Sequence, residues 1–140
     1  MAGSSFVHFL FENESQSPEA FFQLQFPEDG RWSGYLFEAD DVAYRKAIQS
    51  YDLARRIVGP QESIAYGHTV SENTFFEGVE GRVEVYSREQ KIARIEYFTS
   101  WTEDNQLKVT EKAEDWEIEA SGGKRRGEMG YVRIGIKKKG

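Results

Sequence analysis

Apolar and polar residues alternate in short runs along the second half of the chain, and turn residues separate the runs. From Gly78 to Lys139 the runs read GVEGRVEVYSREQKIARIEYFTSW, QLKVTEKAEDWEIEASGG and GEMGYVRIGIKKK. Val83 and Val85 alternate with Arg82 and Glu84. Ser87 to Gln90 is a turn, and Ala93, Ile95 and Tyr97 form the inner face of the return strand. Leu107 and Val109 mark another strand. Trp116, Ile118 and Ala120 alternate with Glu117 and Glu119, which places Trp116 with the core. Gly122-Gly123 begins a loop, and Val132, Ile134 and Ile136 belong to the last strand. Period-two alternation at this spacing predicts an all-β sandwich or barrel.

The first half is less regular. Phe6 to Phe11 is apolar on both faces, with Val7, Phe9 and Phe11 on one side and Phe6, His8 and Leu10 on the other. That pattern predicts a central strand, or one whose outer face meets something apolar. Phe22, Leu24 and Phe26 alternate with Gln23 and Gln25. Pro27-Glu28-Asp29-Gly30 signals a turn, and Arg31 to Phe37 reads as the returning half of a hairpin. Asp40 is an N-cap candidate, and the spacing of Val42, Ala47, Ile48 and Tyr51 predicts one short helix around 41–50. Gly59-Pro60 ends that region. Ser63 to His68 is a short strand, and Ser71 to Gly78 a loop with exposed aromatics Phe75 and Phe76. The expectation is a single-domain sandwich spanning 1–140, with about nine mostly antiparallel strands and at most one short helix.

Composition adds a few constraints. The 140 residues include ten Phe, seven Tyr and three Trp, residue types that favour pleated surfaces and also membrane–water boundaries. There is no cysteine, which excludes disulfides and thiolate metal sites. The amino-terminal run lacks a basic n-region and is too short for a signal-peptide core, and no stretch reaches the length of a membrane-spanning helix. The expectation is a protein made soluble without a signal peptide, intracellular or released, that meets a membrane as a folded object. The net charge of −6 is uneven: residues 124–140 carry about +6 and the first 123 about −12. An acidic chain of this kind is a poor nucleic-acid binder.

The residues offer little catalytic chemistry. His8 lies in an apolar strand, while His68 looks freer but has no second ligand at metal spacing. Glu84 and Glu96 could face each other across a hairpin, and paired carboxylates can do acid–base work. Alternation with apolar residues is, however, the mark of a solvated outer face. The glycines of EGVEG have no following Lys-Ser/Thr, so they form no phosphate loop. The expectation is no enzyme, no cofactor and no metal.

Several segments, in order, carry a family likeness. Glu77-Gly78-Val79-Glu80-Gly81 followed by RVEVY, RIEYFTSW ending at Trp101, Trp116-Glu117-Ile118-Glu119, and Gly127-Glu128-Met129-Gly130 before YVRIGIKKK resemble successive segments of the aegerolysins. Upstream, Arg56-Ile57-Val58-Gly59-Pro60 resembles the family's Ile-x-Pro segment, and Asp29-Gly30-Arg31-Trp32 a Gly-Arg-Trp run of the bacterial insecticidal members. The chain lacks the Trp-Gly-Lys and Gly-Arg-Ser-Asp signatures and the cysteines of the fungal haemolysins, so it is more similar to the cysteine-free bacterial branch. The resemblance implies an aegerolysin-like sandwich that binds membrane sphingolipids, such as sphingomyelin with cholesterol or ceramide phosphoethanolamine. It also implies the small component of a binary pore-forming toxin, insecticidal or cytolytic, which recruits a larger perforin-like or other bacterial toxin partner and could self-associate on the membrane. A site for such lipid needs exposed aromatics at one end and a polar group for the headgroup: Trp32, Tyr66, Tyr97, Phe98 and Trp101 are the aromatic candidates, and Glu77 the polar one. The competing expectation is a soluble module for a protein or glycan receptor.

Overall fold

In the computed structural model, which describes residues 6–27, 34–70, 78–99 and 103–139, the chain forms two stacked sheets. In chain order the strands are β1 (Phe6–Asn13), β2 (Gln23–Gln25), β3 (Tyr35–Glu38), β4 (Ala47–Ile48), β5 (Ser63–Thr69), β6 (Glu80–Ser87), β7 (Gln90–Phe98), β8 (Gln106–Thr110), β9 (Trp116–Gly122) and β10 (Gly130–Lys138); one helix, α1 (Ser50–Ala54), follows β4. One sheet has six strands in the order β4-β3-β5-β1-β10-β9, the other four in the order β2-β6-β7-β8. The expected all-β sandwich is therefore found, with ten strands among the described residues.

Strand β1 is central, as its two apolar faces predict. It pairs antiparallel with β5 and parallel with β10. Its inward residues Val7, Phe9 and Phe11 are fully buried, and they meet Ile64 and Tyr66 of β5 and Val132, Ile134 and Ile136 of β10. The opposite wall is Leu24, Val83, Val85, Ala93, Ile95 and Tyr97. The register of β6 and β7 shifts between Val85 and Tyr86, a bulge that lets Ile92 and Ala93 both face inward. Trp116 packs in the core, as its phase with Ile118 predicts.

Two local readings are corrected. The run through Phe26 and the run through Phe37 do not form a hairpin. β2 pairs with β6 in the four-stranded sheet, whereas β3 pairs with β4 and β5 in the six-stranded one. The turn residues mark a change of sheet, because a reversal signal does not name the edge that the next strand finds. The helix expected around 41–50 is also absent. Asp41 instead closes a turn: its side chain accepts from the backbone N–H groups of Tyr44 and Lys46, and its carbonyl from that of Arg45. Arg45 takes a φ of 54° and ends any helical run. Local side-chain bonding of this sort competes with a helix. Ala47 and Ile48 pair with β3, and the helix begins only at Ser50, anchored by buried Leu53.

Candidate functional site

One end of the sandwich gathers most of the long connections. β1, β3, β6, β8 and β10 begin there, and β5, β7 and β9 end there, as the registers Phe6↔Thr69, Tyr35↔Thr69, Val132↔Gly122, Glu80↔Phe98 and Phe98↔Gln106 require. Thr99 extends the pairing of β6 and β7 beyond the strands, since its backbone N–H donates to Val79 O at 2.8 Å and its hydroxyl accepts from Val79 N–H at 2.7 Å. Asn105 clasps the loop between β9 and β10: its amide donates to Lys124 O at 2.8 Å and Gly127 O at 2.9 Å. Asp104 takes the Nε–H of both Arg125 and Arg126, and these two guanidinium groups hold its carboxyl below the usual carboxylate range.

A cleft of about 190 Å³ opens at this end on the outer face of the four-stranded sheet. Glu80 and Arg82 come from β6, Glu96 and Phe98 from β7, and Gln106 and Lys108 from β8. Arg82 Nε stands 3.8 Å from Glu96 Oε2, and Glu96 lies opposite Lys108 in the ladder. Two cations and two carboxylates in neighbouring positions, with an aromatic ring at the rim, form a set that complements a zwitterion. Glu84 and Glu96 do not face each other: Glu84 is opposite Arg94, and Glu96 opposite Arg82. Farther along the same face Glu84 binds Lys91 at 3.0 Å and Arg94 at 3.1 Å, so its charge is matched and no free carboxylate pair is made.

Beneath the cleft lies a buried polar chain. Tyr97 O–H is 2.8 Å from His68 Nδ1 and 3.4 Å from Tyr66 O–H. All three side chains are sealed between the sheets. Burial pushes the Tyr97 hydroxyl well above its ordinary pKa, and burial together with the Tyr97 neighbour does the same to Tyr66. His68 is thus not the freer histidine that its position after Gly67 implies; it faces inward from β5. His8, on the outer face, has Nε2 3.1 Å from Ala39 O.

Of the six site residues expected from sequence, Phe98 and Tyr97 line the cleft. Tyr66 and Tyr97 are core residues, at 0% and 2% exposure, and do not present the exposed aromatic surface expected of them. The inward phase of Ala93, Ile95 and Tyr97 already carried the signal for Tyr97. Trp32, Glu77 and Trp101 lie outside the described residues, as do Phe75 and Phe76. Sequence reasoning missed Arg82 and Lys108, whose partners depend on a register that no single strand reveals. It also missed Tyr131, an aromatic at an outward position of β10 that is 60% exposed at this same end. Among the described residues no cluster is placed to hold a metal ion, and no helix is long and apolar enough to cross a membrane.

The family model described as Aegerolysin matches residues 6–139. No curated protein matches the chain. The crystal structure of IP-1A from Alcaligenes faecalis superposes with a TM-score of 0.79 at 18% identity, covering 99% of this chain and 94% of that one. The crystal structure of RahU in complex with a Tris molecule superposes with a TM-score of 0.77 at 15% identity, covering 95% and 96%.

Proposed function

Since the chain belongs to the aegerolysin family, we propose that it binds a membrane sphingolipid through the loop end of the sandwich and acts as the small component of a binary pore-former. The observation that carries the reading is the cleft at that end. Its Arg82 and Lys108 match the phosphate of a headgroup such as phosphocholine or phosphoethanolamine, and Glu80 and Glu96 match its ammonium. The preference for sphingomyelin over phosphatidylcholine, which share phosphocholine, comes from the amide and hydroxyl of the sphingoid backbone just below the headgroup. Phe98 at the rim adds an apolar contact. The protein recognises the surface and a larger partner, perforin-like or another bacterial toxin, makes the hole. Pairing of this kind suits a cytolytic or insecticidal role.

Intrinsic tryptophan emission tests the reading. Trp116 is 4% exposed and contributes a constant background. Adding vesicles that contain sphingomyelin and cholesterol, or ceramide phosphoethanolamine, is expected to shift the emission to shorter wavelength, while phosphatidylcholine alone leaves it unchanged. The pure protein is expected to release no trapped dye from the vesicles it binds. An emission unmoved by either sphingolipid transfers the reading to a protein or glycan receptor, and dye release by the protein alone contradicts the two-component part.

A further inference from the structure

The two outer faces of the sandwich differ in chemistry. The four-stranded sheet turns Glu80, Arg82, Glu84, Lys91, Arg94 and Lys108 outward, a face laced by ion pairs. The six-stranded sheet, at the loop end, turns out aromatics instead. Register places Tyr35 of β3, Thr69 of β5 and Phe6 of β1 in one row across adjacent strands. Tyr131 of β10 sits opposite His8 and meets the Phe6 ring edge-on at 5.8 Å and the His8 ring at 4.9 Å.

The turn that replaces the expected helix caps this row. The Arg45 guanidinium lies 5.0 Å from the Phe6 ring centre and 6.0 Å from that of Phe37, and its Nη1 donates to Thr69 Oγ1 at 2.7 Å. Tyr44, next to Arg45 in the chain, is 89% exposed, and on the sheet Tyr131 is 60% and Tyr35 38% exposed. The aromatic character stops along the strands: two positions after Tyr131, Arg133 binds Glu12, and ion-paired chemistry resumes. A solvated sheet face is ordinarily polar at alternate positions. Tyrosine has an apolar ring and a polar tip, and such side chains collect at headgroup depth where a protein meets a bilayer.

We propose that this aromatic rim, with Tyr131, Tyr44 and Tyr35 as its contacts, is a second bilayer-contact surface, across the sandwich from the headgroup cleft. The protein then stands on its loop end, with the cleft at headgroup level on one side and the tyrosines at the same level on the other. This inference rests on the lipid-binding reading and adds to it the depth and orientation of docking. The far end, with the β6–β7 turn at Arg88 and Glu89, stays in water.

The chain has no cysteine, so single cysteines give unambiguous reporters. An environment-sensitive fluorophore is attached to Tyr44→Cys, Tyr131→Cys or Glu89→Cys, and each protein is mixed with vesicles of phosphatidylcholine, sphingomyelin and cholesterol, with and without nitroxide-bearing lipid. Labels at 44 and 131 are expected to shift to shorter wavelength and be quenched by the nitroxide, and the label at 89 to do neither. The unlabelled double variant Tyr44→Ser/Tyr131→Ser is expected to fold normally and to bind these vesicles roughly tenfold more weakly. If wild type sediments with the vesicles while either label stays in water, the rim is overturned and the lipid-binding reading stands. If wild type does not sediment with them or with ceramide phosphoethanolamine vesicles, both fall.

Discussion

Replacing Gly67 with alanine is expected to lower the thermal midpoint by roughly 10 °C. Gly67 is buried on the outer side of β5, and the Phe37 ring lies directly over it. A Cβ there would fall 2.1 Å from Phe37 Cζ and 2.4 Å from both Cε atoms. Phe37 is itself fully buried and carries Arg45 against its ring. The added methyl must push the ring outward, so overpacking combines with lost burial, for a total of about 3 kcal/mol. Gly127→Ala is the comparison. Nothing lies within 4 Å of its Cβ, but its φ is 74°, so the penalty is backbone strain alone, about 1 kcal/mol. Adding Phe37→Leu to Gly67→Ala is expected to recover part of the loss, the mark of two residues in direct contact. A Gly67→Ala protein as stable as wild type in urea would remove the ring from its assigned place.

Tyr97→Phe is expected to lower stability by about 1–3 kcal/mol at pH 7, and the gap to wild type to narrow above pH 10. The hydroxyl removed is the one that meets both His68 and Tyr66 between the sheets. The pH dependence follows from burial, which raises the pKa of Tyr97 and of Tyr66 in the folded state. A group raised on folding contributes stability that is complete below its unfolded pKa, about 10 for tyrosine, and that is lost as pH climbs from there toward the folded value. Wild type carries two such hydroxyls and the variant one. By pH 11 wild type therefore loses up to about 1.4 kcal/mol more than the variant. Urea unfolding of both proteins at pH 7 and pH 11 measures the difference directly. A gap that widens with pH would mean that Tyr97 ionises more easily in the fold than in the open chain.

Much of this architecture could be read before any coordinates. The alternation of Val83 and Val85 with charged neighbours, the short turn before Gln90, and the in-phase run Ala93, Ile95, Tyr97 define the β6–β7 hairpin as it stands. Two-sided apolarity placed β1 in the middle of its sheet for a sound reason: a strand with neighbours on both edges and something over both faces has no polar side. What failed depended on distant partners. Helical spacing from 41 to 50 lost to the bonds of one aspartate and to a strand pairing that residues 47 and 48 find only once β3 is in place. Phe22 to Phe37 looked like a hairpin because turn chemistry is local and sheet membership is not. The site shows the same division. Phe98 was visible at the end of its strand, whereas the Arg82–Glu96–Lys108 row exists only through the registers of β6, β7 and β8. The aromatic rim is assembled from four strands and a turn, so no window of sequence contains it.

The central claim, selective recognition of a sphingolipid-containing bilayer, is tested most directly by sedimentation with three vesicle preparations: phosphatidylcholine alone, phosphatidylcholine with sphingomyelin and cholesterol, and phosphatidylcholine with ceramide phosphoethanolamine. The account predicts that wild-type protein stays in the supernatant with the first and pellets with at least one of the other two. Equal pelleting with all three, or none with any, would contradict it.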